Sequence, residues 1–254
     1  MNNFYYCFAC LFLALFMTEP LSAQVNKSIC GPFDDRRPSF NPSIGRVLRP
    51  GDKNGCSVTL IGKSCVISAG HCHERLYQVE FNVPLSDQEG NIRPSDESDI
   101  YPVDQDSIAF EYEGKGKDWS VFRLKKNKFT NSHPGERLGY LEIETDLPKL
   151  GDQVKLFSYG SDKTEGELER NYIQQISAGP ILSIEETFIT YTADTRGGSS
   201  GASVVHIKSG RIIGVHTHGR CSESGGYNSA TFIHGNERLK NAISACLDWE
   251  RQNL

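Results

Sequence analysis

Val66-Ile67-Ser68-Ala69-Gly70-His71-Cys72 is an apolar run that ends in small residues and delivers a histidine beside a cysteine. Cys56 stands upstream, ahead of a second apolar run, Ser57-Val58-Thr59-Leu60-Ile61. A bridge between Cys56 and Cys72 would close a hairpin and fix the backbone next to His71. A general base needs that restraint, because it must sit within hydrogen-bond reach of its partner. The stretch His71, Cys72, His73 does not read as a metal site: neighbours on an extended chain point to opposite sides, and zinc sites use other spacings. No metal and no cofactor are expected.

Two further stretches gain meaning from this one. Asp118-Trp119-Ser120-Val121-Phe122-Arg123-Leu124 places an acid at the head of a strongly apolar strand, where it can be carried inside to orient an imidazole and stabilise its protonated form. Gly197-Gly198-Ser199-Ser200-Gly201-Ala202-Ser203 holds a serine in a glycine-rich turn. Glycines permit unusual backbone angles, which expose the hydroxyl and let neighbouring N–H groups converge on one point, as an oxyanion hole requires. Alone, each string reads as a flexible turn or a solvated acid. In the order His, Asp, Ser, each on the local structure its role demands, they read as one site: His71, Asp118 and Ser200.

The rest of the chain is built to carry β-structure. Short apolar runs recur, including Val154-Lys155-Leu156-Phe157, Phe188-Ile189-Thr190-Tyr191 and Arg211-Ile212-Ile213-Gly214-Val215, punctuated by Gly, Pro, Asp and Asn. Many short strands with frequent turns predict an all-β barrel or sandwich. One helix is expected at roughly 236–250, capped by Asn236, because Leu239, Ala242, Ile243, Cys246 and Leu247 share a helical face. Residues 24–43 read as an irregular polar arm, and 84–107 as an exposed polar insertion. No basic run in this chain of net charge −5 suggests nucleic acid as a partner.

Residues 1–23 read as a signal peptide. Phe4 to Met17 is almost wholly apolar, and Leu21-Ser22-Ala23 suits cleavage before Gln24. The product is expected to be soluble, secreted to the medium or a periplasm, with no membrane segment in its mature form. Cys7 and Cys10 leave with the leader, and Cys30, Cys56, Cys65, Cys72, Cys221 and Cys246 remain. In an exported chain these read as disulfides, although composition alone leaves every pairing open.

Ile67-Ser68-Ala69-Gly70-His71-Cys72, Asp118-Trp119-Ser120-Val121 and Gly198-Ser199-Ser200-Gly201 resemble the three motifs of the trypsin/chymotrypsin superfamily. The resemblance covers roughly 44–250. It implies two antiparallel six-stranded β-barrels with a C-terminal helix, divided at 44–135 and 136–254, and the site between them. It implies a serine endopeptidase acting on protein or peptide substrates as a monomer, with backbone N–H groups of Gly198 and Ser200 as the oxyanion hole. It also implies the pairings Cys56–Cys72, Cys65–Cys246 and Cys30–Cys221.

Three passages are most similar to the bacterial glutamyl endopeptidase, or V8-like, branch. They are Cys30-Gly31-Pro32-Phe33-Asp34-Asp35-Arg36, Tyr191-Thr192-Ala193-Asp194-Thr195 and Gly214-Val215-His216-Thr217-His218-Gly219. That similarity makes Thr195 and His216 candidate residues of the S1 pocket and implies cleavage after Glu or Asp. In that branch the freed N-terminal amine helps the S1 site; whether a short propeptide is cut here, near Lys27 or Ser28, the sequence leaves open. A rival stays open: Asp194 stands where trypsins place the acid that selects Arg or Lys. A non-enzymatic binding module on the same fold is the second alternative. Ser199 replaces the aspartate that pairs with the new N-terminus in activated trypsins, so that switch is not expected.

Overall fold

The computed structural model describes residues 28–48, 52 and 55–254. The expected leader, 1–23, and residues 24–27 of the arm lie outside the described residues. The chain enters with a two-residue strand, β1 (Arg37–Pro38), and then winds a closed antiparallel barrel. Its strands are β2 (Ile44–Val47), β3 (Cys56–Leu60), β4 (Cys65–Ser68), β5 (Gln78–Glu80), β6 (Ile100–Tyr112) and β7 (Asp118–Leu124), ordered β2-β3-β4-β7-β6-β5. After a short helix, α1 (Pro134–Leu138), come β8 (Gln153–Ser158), β9 (Gln175–Ile184), β10 (Phe188–Tyr191), β11 (Ser203–His206), β12 (Ile212–Gly219) and β13 (Asn228–Phe232). They run β9-β10-β13-β12-β11-β8, and β8 pairs back onto β9, closing a second six-stranded barrel. Helix α2 (Glu237–Asn253) ends the chain. This is the double barrel with a terminal helix that the motifs imply.

The alternation along each strand sorts side chains between cores. On β4, Val66 enters the first barrel with Val58, Leu60, Phe122 and Leu124. Its neighbours Cys65 and Ile67 face outward, but they meet Trp119, Val121, Val215 and α2 in a core shared between the barrels. Both faces of β4 are therefore buried, which is why its sequence is apolar without a polar alternate. The interior of the second barrel is separate, built on Leu156, Ile189, Tyr191, Val204 and Phe232.

Helix α2 seals the shared core with Leu239, Ile243 and Cys246, the two aliphatic side chains each contributing roughly 1.5–3 kcal/mol on burial. The Asn236 side chain accepts the Leu239 N–H (2.9 Å), as its sequence position suggests. Cys246 is bonded to Cys65 at the start of β4. One turn on, the buried Glu250 carboxylate accepts the N–H groups of Lys63 (2.9 Å), Ser64 and Cys65 (2.6 Å). The terminal helix thus holds the hairpin turn from which β4 runs toward His71.

Two sequence expectations differ from the structure. The arm is not irregular throughout: β1 pairs with β9, Arg37 opposite Ile176. Arg36 is only 2% exposed, its guanidinium satisfied by Asp34, Gln175 Oε1 and the Ser161 carbonyl. A polar segment reads as solvated until its partners are known, and two of these, Ser161 and Gln175, lie far along the chain. Of the expected insertion 84–107, residues from Ile100 onward form β6, whose solvent-facing Asp104, Gln105 and Asp106 give a barrel strand the composition of a loop.

Candidate active site

Strand β4 stops at Ser68 and a 3-10 turn, Gly70–Arg75, swings His71 to the barrel's end. Cys72 in that turn is bonded to Cys56 at the start of β3. Strand β7 runs alongside, Ser68 opposite Ser120, and so brings Asp118 level with the turn. Asp118 is wholly buried. One carboxylate oxygen accepts the His71 backbone N–H at 3.0 Å, and the other meets His71 Nδ1 at 2.8 Å. A carboxylate in this position only accepts, so Nδ1 carries the proton and Nε2 is left with a free lone pair. His71 keeps a quarter of its side chain exposed, with the Tyr112 ring beside it at 5.8 Å. Cys56 and Cys72 lie close to His71, but their sulfurs are joined to each other and offer no thiolate to a metal.

The Ser200 turn belongs to the second barrel, yet the first barrel grips it. The Ser57 backbone N–H donates to the Ser200 carbonyl (2.7 Å), and Ser57 Oγ donates to the Gly198 carbonyl (2.9 Å). Ser57 follows Cys56, so the strand disulfide-linked to the histidine turn also positions the serine turn. Gly198 (φ 103°) and Gly201 (φ 87°) lie in the left-handed region. A Cβ at Gly201 would overlap Ser68 Oγ and the Ser57 carbonyl, so only glycine lets the loop lie this near β4. The sequence pointed to the glycines but carried no signal for Ser57.

Carbonyls on both sides of the turn are already committed. The Gly197 carbonyl accepts from Ser161 N–H (2.8 Å), and the Ser199 carbonyl from Ala202 N–H (3.0 Å). In a trans peptide the next N–H points the opposite way. The N–H groups of Gly198 and Ser200 accordingly face away from those bonds, and among the described residues neither has a protein acceptor. Ser199 is buried, with its Oγ against Ser158 Oγ at 2.9 Å.

The wall behind Ser200 is made by β12, β13 and the arm. His216 is buried, its Nδ1 2.7 Å from the Tyr191 hydroxyl. Burial lowers its pKa to about 3, so the ring is neutral. Tyr191 lay in a run singled out by the sequence, but its role needs the β10–β12 geometry. Thr195 is also buried; its N–H donates to the Ser28 carbonyl (3.1 Å), and its hydroxyl has no partner among the described residues. Asp194 faces the arm: Oδ1 accepts the Cys30 N–H (2.7 Å) and Oδ2 the Asp35 N–H (3.0 Å). Burial pushes its pKa up to about 6. Cys30 is bonded to Cys221, and Asn228 Nδ2 donates to the carbonyls of Ser28 and Ala193. The structure thus joins His71 to Asp118 at the end of the first barrel, holds the Ser200 turn with Gly198 against Ser57 of β3, ties Thr195 and Asp194 to the arm, and pairs His216 with Tyr191.

The fold is similar to that of several solved proteins. A structure titled as a Glu endopeptidase superposes with a TM-score of 0.64 at 18% identity, covering 86% of this chain and 99% of the other. A thermostable serine protease from an extremophilic microorganism gives 0.61 at 14% identity, over 81% and 98% of the two chains. A mutant of human heparin binding protein gives 0.59 at 15% identity, over 85% and 97%. At these identities the likeness is one of fold. The family model described as Trypsin matches residues 31–240, and with that match over most of its length the chain belongs to the trypsin family.

Proposed function

We propose that the chain is an exported serine endopeptidase that cleaves peptide bonds through an acyl-enzyme, preferentially after Glu or Asp. The observations that carry the chemistry are the Asp118–His71 pair at 2.8 Å and a serine turn, held by the strand disulfide-linked to the histidine turn, whose Gly198 and Ser200 N–H groups have no acceptor among the described residues. His71 Nε2 takes the Ser200 proton as Oγ bonds to the substrate carbonyl carbon. The Gly198 and Ser200 N–H groups receive the oxyanion. His71 then passes the proton to the leaving amine as the C–N bond breaks, and water repeats the sequence on the acyl-enzyme. The protein works as a monomer without a cofactor.

The preference for an acidic side chain rests on three observations around the pocket. Thr195 offers an unpartnered buried hydroxyl, and His216 a neutral imidazole whose proton affinity a bound carboxylate would raise. Both oxygens of Asp194, the acid that would select Arg or Lys, are taken by arm amides. Ser28 lies so close to Gly219 that a Cβ there would overlap its hydroxyl; a propeptide cut before Ser28 would put a free amine beside the same pocket. Export rests on the disulfides and the apolar leader; no helix among the described residues is long and apolar enough to cross a membrane.

Paired reporter peptides with Glu or Arg before the scissile bond, given to mature protein and to Ser200→Ala, test this. Cleavage after Glu that disappears in the variant is the expected result. Cleavage after Arg would transfer the pocket to Asp194. Failure to cut either, with folded and processed protein, would favour a binding module, since fold alone does not carry activity.

A further inference from the structure

Lys115 sits at the tip of the β6–β7 turn, closed by the Glu113 N–H donating to the Lys117 carbonyl (2.7 Å). Glu113 and Lys117 pair with each other (3.5 Å). Lys115 instead reaches across the cleft to the second barrel. Its amine lies 4.4 Å from the Phe188 ring centre and 4.8 Å from that of Tyr227. The negative ring faces hold the cation and keep it from swinging into water. Among the described residues no carboxylate lies within 4.0 Å of it. Arg220, exposed and just beyond Gly219, is also without a carboxylate; its backbone N–H is held by Asn228 Oδ1 (3.1 Å). Burial chiefly disfavours protonation of His218, and the charges of Lys115 and Arg220 add to it. On a chain of net charge −5 they form a local positive rim.

That rim borders a free sheet edge. Strand β11 covers β12 only from Ile212 to Val215, and the Gly201 N–H takes the His216 carbonyl (2.8 Å). From Thr217 to Gly219 the same side of β12, next to Ser200, makes no backbone hydrogen bond among the described residues. Extended peptides add to such edges through main-chain hydrogen bonds. A peptide that adds to this edge with its scissile carbonyl at Ser200 would carry its preceding residues past His218, on which the charges of Lys115 and Arg220 both act.

We propose that Lys115 and Arg220 form a cationic subsite flanking His218 that selects peptides carrying Asp or Glu two to four residues before the scissile bond. The inference rests on Ser200 as nucleophile, but not on which residue occupies the S1 pocket. The test uses peptides fixed as Glu or as Arg next to the bond, each set with Glu or Lys at the three earlier positions. The acidic members are expected to show about tenfold higher kcat/KM, a gap that narrows in about 0.5 M NaCl. The double variant Lys115→Gln/Arg220→Gln should bring the ratio close to one, while Lys115→Arg keeps it. A wild-type ratio at or below one would overturn the proposal. So would an equal loss on acidic and basic members with a lowered Tm, which would make Lys115 only a pin between the barrels. Running both sets separates a wrong S1 assignment from failure of this subsite. If neither set is cut, fluorescence anisotropy of the same labelled peptides on Ser200→Ala reads the ratio directly, and equal binding overturns the proposal.

Discussion

The two sides of the cleft are held in different ways. On the first-barrel side, support is local: Cys56 and Cys72 are 16 residues apart, and the strands carrying His71 and Asp118 are direct neighbours. On the second-barrel side, the pocket depends on distant chain. Cys30 and Cys221 are 191 residues apart, Asp194 is satisfied by amides of the arm, and Arg36 is buried between the arm and β9. One half of the site can form once its own barrel folds. The other is complete only after the arm docks, which makes the arm part of the pocket.

The largest effect should come from the local half. Asp118→Asn replaces the acceptor that sets the His71 tautomer, so kcat should fall about 10⁴-fold with the fold intact; a loss below tenfold in steady-state assays would detach Asp118 from the chemistry. The distant half should respond in stability as well as activity. Cys30→Ser/Cys221→Ser is expected to cost about 2–5 kcal/mol in denaturant titration, more than Cys56→Ser/Cys72→Ser, because the released loop is longer. If it costs less and leaves S1 preference unchanged, the arm is an appendage.

Glu250→Gln separates scaffold from site. Its one oxygen can still accept on one side, but its NH2 is set against the Lys63 N–H or against those of Ser64 and Cys65, and the change should cost about 2–3 kcal/mol, read as a lower Tm, without altering substrate preference. The smallest effect is a pH dependence. His216 binds its proton near 3 when folded and near 6.5 when unfolded. The unfolded state therefore binds more protons between those values, and stability falls as pH drops through that window, by about 2 kcal/mol at pH 5. His216→Gln should flatten Tm against pH between 6.5 and 4. An unchanged slope would show that His216 is not held neutral by burial.

This asymmetry also explains what could be read from the sequence. Short β-strands, the terminal helix and the local settings of His71, Asp118 and Ser200 could be read because their determinants lie within a few residues: apolar alternation, a capping Asn236, glycines around a serine; the double barrel came from the resemblance of those motifs to a family. The grip of Ser57 on the Ser200 turn, the Tyr191–His216 bond and the burial of Arg36 were not, because each pairs residues whose proximity only the closed barrels create. Residues 100–107 misled for a related reason. One face of β6 meets solvent, and its polar side chains hide the strand.

The central claim is that Ser200 is a nucleophile activated by His71. Mature protein should be incubated with a serine-directed fluorophosphonate, and its intact mass and labelled peptide measured. One adduct per chain is expected, on Ser200, absent from Ser200→Ala and nearly absent from His71→Ala. Folded protein that takes up no label, or takes it up elsewhere with Ser200 unmodified, would contradict it.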